Sequence, residues 1–397
     1  MPSPSLFAKS PESVGVDPER LEALFARVEK EVREGLLPSA QVAIARQGRI
    51  AGMRSFGSVT QEGRPAAASH DTLYVVFSAT KAITSAAAWL LIQEGKLDPA
   101  ERVAAIVPEF GTNGKDAVTV EQLFTHTAGF PHAPFRPDEF LDRDKRLARF
   151  AKWRLGFEPG SRFEYHPSSS MYVIAEIIER RAGLAYGEFV RRRIAEPLGL
   201  RDFWTGLPQA EQGRLADCVH VSETLSEDDY RRLGFPPPPV TEVTEEAIES
   251  FNRPEVRLAG IPGGGGTMTA ADLALFYQAL LDGGCALAGV EVWSSGTLAL
   301  ARTVRTGDLL DPVFGKRVHR GLGIVIAGDA ERTYRGFGHT NSAAAFGHNG
   351  AVGQLAWADP ETGISLGYCT NGHDRNVVRQ ARRGVGIASR AASCALG

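Results

Sequence analysis

Strand-like segments at both ends of the chain, separated by helical patterns, constrain this sequence more than any other feature. Near the N-terminus, Gln41 to Arg46 and Arg49 to Phe56 read as two strands joined at Gln47-Gly48 in a hairpin. Near the other end, Gly321 to Ala327 is apolar, and Gly353 to Trp357 and Gly363 to Thr370 flank the turn Asp359-Pro360-Glu361-Thr362. Between them, Ser78 to Gln93, Thr119 to His126, Met171 to Ala182 and Thr269 to Leu281 show helical periodicity. Strands at the two ends bury their apolar faces by pairing with one another. The predicted architecture is therefore α/β (α+β): one antiparallel sheet built from both chain ends, flanked by the first and last helices, with a largely helical insertion. The expected boundaries are 1–100 and 311–397 for the sheet domain and 101–310 for the helical domain. The stretch from about 219 to 257, with Pro236 to Pro239 in a row, reads as a long structureless excursion over the surface.

Local signals fix several helix starts. Asp17-Pro18 offers an N-cap and a first-turn proline, followed by Leu21, Leu24, Phe25, Val28 and Val32 on one stripe up to Gly35. Thr119 with Gln122 matches a capping box, and Thr269 with Asp272 approximates one.

Composition narrows the function classes. At about 150 residues per domain, 397 residues make two to three domains, or one large domain with an insertion. Lys plus Arg is 44 and Asp plus Glu 47, a net charge of −3, so no basic excess exists to neutralise a phosphate backbone and nucleic acid is not an expected partner. Cys218, Cys285, Cys369 and Cys394 have no paired spacing, which predicts free thiols in a reducing compartment and no metal site. Met1 to Asp17 is polar and lacks an apolar core, and the apolar run at Ala86 to Ile92 is cut short by Gln93 and Glu94. The expectation is a cytoplasmic protein with no membrane partner. Oligomeric state stays open.

Three motifs invite a catalytic reading. Gly363-Ile364-Ser365-Leu366-Gly367 matches G-x-S-x-G, but Ser365 sits inside an alternating apolar run with no helix behind it, so it reads as an ordinary strand serine. Gly263 to Gly266 lacks the following Lys-Ser/Thr of a phosphate loop and reads as a close-packing turn. Ser78-Ala79-Thr80-Lys81 opens a helix after the short apolar run Tyr74 to Phe77. Three residues apart on a helix, Ser78 and Lys81 share a face. A hydroxyl attacks carbonyls only when a neighbour accepts its proton, and a lysine does so where burial disfavours its charged form. Taken alone, the same four residues read more readily as a helix cap beside a surface lysine.

The wider context is more specific. Phe77-Ser78-Ala79-Thr80-Lys81-Ala82, Leu123-Phe124-Thr125-His126-Thr127-Ala128-Gly129, Phe163-Glu164-Tyr165 with the helix Tyr172 to Gly183, Pro197-Leu198-Gly199-Leu200, and Gly347-His348-Asn349-Gly350-Ala351 with Asp359-Pro360-Glu361 and Thr370-Asn371 occur in that order. In these five segments the chain resembles the serine β-lactamase and penicillin-binding protein superfamily, most closely its class C β-lactamase-like members and family VIII carboxylesterases. The resemblance runs from about Leu21 to Gly372 and implies that fold. It implies Ser78 as acylated nucleophile, Lys81 as its general base and Tyr165 as a second proton-handling group. It also implies an oxyanion hole from the backbone N–H groups of Ser78 and Ala351, substrate contacts at His348, Asn349, Gly350 and Ser168, and no metal or cofactor. His126 becomes a helix-end packing residue, and His166 gains no role beyond proximity.

Two departures bear on substrate. The family's Tyr-x-Asn reads Tyr165-His166-Pro167 here, with Ser168 as the candidate in place of the Asn, which puts amide-substituted β-lactams in doubt. The family's Lys-Thr-Gly has His348 in place of the Lys, and a neutral imidazole anchors a carboxylate less well than an ammonium. The leading expectation is a serine hydrolase of carboxylic esters, taking a small-molecule ester or amide. A D-amino-acid amidase or peptidase, a weak β-lactamase, an acyltransferase, and a non-enzymatic acyl-ligand binder are the alternatives. Phe130, Phe135, Phe140 and the 219–257 stretch are the expected pocket walls.

Overall fold

The computed structural model describes residues 4–134, 136–234, 237, 243–285 and 289–396. Phe135, most of the proline run and the side chain of Cys285 lie outside them. Helix α1 (Pro18–Arg33) starts where the sequence predicts: the Asp17 carboxylate accepts from the backbone N–H groups of Glu19 and Arg20, and Leu21, Leu24, Phe25 and Val28 are buried. Strands β1 (Ser39–Arg46) and β2 (Arg49–Gln61) form the hairpin. Its two turn residues, Gln47 and Gly48, have φ of 53° and 71°, the left-handed pair that matches the twist of the strands. A short β3 (Arg64–Ala67) extends β2.

The middle of the chain is helical. It contains α2 (Thr80–Gln93), α3 (Val120–Thr125), α4 (Ser169–Ala182) and α5 (Ala270–Asp282). Then follow β4 (Val325–Ile326), β5 (Phe346–Gly347), β6 (Leu355–Asp359), β7 (Ile364–Thr370) and the closing helix α6 (Val377–Ala392). The sheet order is β4-β5-β6-β7-β1-β2-β3, antiparallel throughout. The two chain ends meet at its centre, where β1 pairs with β7 from Ala40–Thr370 to Ala45–Ser365.

Alternation along β1 divides the core in two. Val42 and Ile44 join Leu21, Leu24, Leu366, Tyr368 and Ile387 beneath α1 and α6. Ala43 and Ala45 face the other way, into the larger core beneath α5 and α2. The β7–α5 contact requires glycine: a Cβ on Gly367 would run into the Ala270 carbonyl oxygen. Ser365 is spent in this seam, its hydroxyl donating to the Ala274 carbonyl and accepting from the Gln278 amide. That is the structural role expected of a strand serine. Every residue of α2 from Thr80 to Leu91 is buried, so this helix runs through the core and not along it.

Two expectations change. Gly321 to Ala327 yields only the two-residue β4, because Gly321 and Gly323 turn the chain there; Gly323 has φ of 79° and lies hard against Ser85 of α2. The 219–257 stretch is not structureless. Val219–Val221 pairs in parallel with Gly372–Asp374, and helices Glu227–Leu233, Glu245–Ser250 and Pro254–Ala259 follow. Six or seven residues are too few to display a helical period, although Ser226 and Thr244 do cap the first two. Among the described residues no helix is long and apolar enough to cross a membrane.

Candidate active site

The site lies where α2 begins. Residues Tyr74–Val75 pair with Gly266–Met268, and the chain then bends sharply at Phe77, whose φ is 45°. A 3-10 turn, Phe77–Ala79, leads into α2 and leaves Ser78 half-buried at its mouth. Lys81, one turn on, is fully buried. Its Nζ lies 3.1 Å from Ser78 Oγ and 2.7 Å from the carbonyl oxygen of Gly263, and it donates to both. The glycine run thus does more than pack. It brings a carbonyl close enough to aim Lys81 at the serine, while Gly266 N–H donates to Thr80 Oγ1 beside it. Ser168 abuts the same turn: a Cβ on Gly263 would meet Ser168 Cα at 3.3 Å.

Tyr165 is half-buried, with Lys81 Nζ 5.2 Å from its ring centroid. Two buried histidines hold its segment. His126 ends α3 in the left-handed conformation, φ 59°, as expected of a helix-end residue. It does more than pack: its carbonyl accepts from Glu164 N–H and its Nδ1 accepts from His166 N–H at 3.2 Å, so it grips both neighbours of Tyr165. Its ring lies 4.7 Å from that of Tyr165. His166 Nε2 in turn accepts from Phe130 N–H at 3.1 Å, and its Nδ1–H donates to the Glu164 carbonyl at 2.6 Å. An N–H donor on one nitrogen and a carbonyl on the other fit only the neutral ring. Burial agrees, pushing His166 down to about 4 and His126 well below the ordinary imidazole value.

The third side of the site is the turn after β5. His348 is buried, its Nδ1–H donates to the Asn349 carbonyl at 2.9 Å, and its Nε2 faces Nη1 of Arg320 at 3.2 Å. Burial and the Arg320 charge hold this imidazole neutral as well. The Asn349 side chain, expected to contact substrate, is committed elsewhere: its amide donates to the Gly336 carbonyl and accepts from Ala356 N–H. It shapes the turn instead. Gly350 comes so close that a Cβ would collide with the Val76 carbonyl oxygen, which sets Ala351 opposite the Phe77–Ser78 bend. Val352, just beyond, has φ of 68°, a costly value for a β-branched residue. Strained residues therefore flank both Ser78 and Ala351. Each begins or sits within a 3-10 turn, and neither N–H donates to a backbone acceptor outside its own helical turn among the described residues.

Arg320 was not legible as a site residue, since it stands alone before an apolar run. Its guanidinium lies 5.5 Å from the Tyr165 ring centroid and 5.6 Å from that of Phe163. Of the expected walls, Phe251 from the 219–257 stretch packs 5.1 Å from Phe77, and Phe130 lies 5.1 Å from His166. Phe140 does not belong here. It packs against Tyr172 and Tyr186 and lines a separate cavity of about 750 Å³ with Arg143, Trp204 and Leu258.

Known proteins share this arrangement over nearly the full length. The family model described as Beta-lactamase matches residues 24–388. A putative D-alanyl-D-alanine carboxypeptidase of Escherichia coli (strain K12) is 26% identical over 390 residues, covering 93% of this chain and 86% of its own. A penicillin-binding protein homologue from Caulobacter crescentus superposes with a TM-score of 0.77 at 30% identity, over 94% of this chain and 98% of its own. A family VIII carboxylesterase gives a TM-score of 0.77 at 27% identity, over 95% and 99%. With the family model spanning both halves of the sheet and the helical segment between them, the chain belongs to the beta-lactamase family, the serine hydrolases related to β-lactamases and penicillin-binding proteins.

Proposed function

We propose that the protein is a carboxylesterase working through an acyl-enzyme on Ser78. The observation that carries this reading is the buried Lys81, held between Ser78 Oγ and the Gly263 carbonyl with the Tyr165 ring beside it. In the proposed reaction, Lys81 Nζ takes the Ser78 proton as Oγ attacks the ester carbonyl carbon. Negative charge on the carbonyl oxygen is met by the N–H groups of Ser78 and Ala351. The tetrahedral species collapses, the C–O bond breaks, and the departing alkoxide takes the Tyr165 phenolic proton, which Lys81 replaces. Water then attacks the acyl-enzyme, releasing the acid and restoring Ser78. The neutral His348 and the similarity to a family VIII carboxylesterase support esters over β-lactams.

A fluorophosphonate probe should add one mass increment to the intact protein and none to Ser78→Ala. Unlabelled wild type would favour the non-enzymatic binder. Among enzymatic readings, p-nitrophenyl butyrate should be turned over faster than D-alanine p-nitroanilide; the reverse order makes the protein a D-amino-acid amidase, in line with the name of its Escherichia coli relative. The Gly350–Val76 contact gives a second test. Gly350→Ala should force the two halves of the oxyanion hole apart, lowering kcat for p-nitrophenyl butyrate on the order of a hundredfold for a displacement of about 1 Å. A variant with unchanged kcat and thermal midpoint would remove Ala351 from the mechanism.

A further inference from the structure

We infer that Gln354 is the positioning residue of the oxyanion hole, a buried amide that joins the strand leading into Ser78 to the turn that carries Ala351. The inference rests on the proposed reaction at Ser78 and deepens it: Gln354 acts through the backbone of both segments and not on the substrate.

The two N–H groups of the hole come from distant parts of the chain, so one must be fixed against the other. The close approach of Gly350 to the Val76 carbonyl limits how near the two segments come. A contact of that kind neither holds them together nor sets their angle. Gln354 does both. It is 1% exposed, and its Nε2 donates to the Val75 carbonyl and to the Thr370 carbonyl, each at 2.8 Å. Its Oε1 accepts from Thr370 N–H at 2.9 Å. Both amide hydrogens are used, and a flipped amide would set its oxygen against two carbonyls, so the hydrogen bonds determine its orientation. Among the described residues, the bond to Val75 is the one hydrogen bond between the Tyr74–Ala79 segment and the turn 347–354.

The main chain of Gln354 completes the link. Its carbonyl accepts from Gly350 N–H at 3.0 Å, which closes the turn around Ala351 and Val352. The peptide between Val75 and Val76 is held on its other edge by Gly266, whose carbonyl accepts from Val76 N–H at 2.8 Å. Thr370 ends β7, the strand that pairs with β1, so one amide ties both halves of the hole to the centre of the sheet. Phe77 and Val352, on either side of this link, have φ of 45° and 68°. Residues persist in such conformations only where their surroundings over-determine them, and the bonds of Gln354 are a specific part of that constraint.

Gln278 shows the same device away from the site. Its Nε2 donates to the Ala45 and Gly363 carbonyls and its Oε1 accepts from Gly48 N–H, at the other end of the β1–β7 pair. It is the control for a bridge that is only structural.

The test compares Gln354→Met with Gln278→Met, and Gln354→Asn with Gln278→Asn where the methionine variants fold poorly. Rates for p-nitrophenyl butyrate are expressed per folded protein. The same samples are titrated with propylboronic acid, whose tetrahedral adduct on a serine leaves a hydroxyl where the oxyanion would sit. Gln354→Met should lower kcat on the order of a hundredfold with KM within about twofold, and weaken propylboronic acid by a similar factor, as expected when donors to developing charge are misplaced. Gln354→Asn, whose amide sits one carbon short, should lose about tenfold in both. The Gln278 variants should unfold at lower temperature and keep wild-type kcat and boronate affinity. Unchanged kcat in the folded Gln354 variants, a loss of kcat without a matching loss of boronate affinity, or an equal loss in the Gln278 variants each overturns the inference. Failure of the underlying reading looks different: Ser78→Ala would bind propylboronic acid as tightly as wild type, whatever Gln354 did.

Discussion

Replacing Ser78 by Ala should lower kcat for p-nitrophenyl butyrate about ten-thousandfold or more, because removing a nucleophile forfeits the covalent route and leaves only binding and the oxyanion hole. The fold should barely register the change. Ser78 is half-buried, caps no helix with its side chain, and loses a single oxygen. The one structural cost falls on buried Lys81, which gives up one of its two acceptors and keeps the Gly263 carbonyl, a loss on the order of 1 kcal/mol. Large loss of rate with a thermal midpoint lower by only a few degrees is therefore the expected pattern, measured by initial rates and thermal unfolding on the same preparations. Equal rates in wild type and variant would make Ser78 an ordinary helix-start residue, and the catalytic assignment would fall while the fold stood.

What the sequence revealed of this molecule follows from which interactions are local. The β1–β2 hairpin, the Asp17 cap, the Thr119–Gln122 capping box and the strand character of Ser365 depend on neighbours a few residues away, and all four are as expected. The meeting of the chain ends also follows from pattern, since apolar strands with no nearby partner must find a distant one. The short helices between 219 and 257 escaped because a turn and a half shows no period. Arg320 escaped for another reason. Its importance lies in His348, 28 positions on, and in Tyr165, on a different segment, and nothing in the residues beside it signals either contact.

The same distinction separates the groups within the site. Ser78 and Lys81 are brought together by one helical turn, so spacing alone suffices. Tyr165 and Ala351 are placed by long-range contacts: His126 grips both neighbours of Tyr165, and the Gly350–Val76 approach sets the Ala351 turn. The turns that carry Ser78 and Ala351 each use a residue in an unfavourable backbone conformation, Phe77 and Val352, so the surrounding core must hold them there. The motif residues locate the chemistry, and the residues around them determine whether its parts meet.

That dependence on buried histidines should make the protein unusually sensitive to mild acid. His126, His166 and His348 are buried and neutral, with burial as the leading cause in each case, and the Arg320 charge adds to it at His126 and His348. Each is depressed below the value near 6.5 expected of an unfolded chain. The unfolded state therefore binds protons that the folded state refuses. Their stabilising contribution is fully present above pH 6.5 and is lost as pH falls toward the folded values, about 4 for His166. Three such groups alone give a slope approaching about 4 kcal/mol per pH unit once the unfolded histidines are charged, and buried Asp272, whose carboxyl burial raises to about 7, opposes it by about one proton's worth. Against a total stability of about 5–15 kcal/mol, the remainder is a large fraction of the whole between roughly pH 6 and pH 4. Urea unfolding at intervals from pH 7.5 to 5 should show it, and His166→Gln, which can still accept from Phe130 N–H, should be less stable at neutral pH but lose about one proton's worth of slope. A stability flat across that range would mean that the histidines are solvated or charged in the folded protein. The grip of His126 and His166 on Tyr165 would then have to be abandoned with it. If the slope is found, esterase activity should fall along the same curve, because the ring that acid pushes out is the one that holds Tyr165 against Lys81.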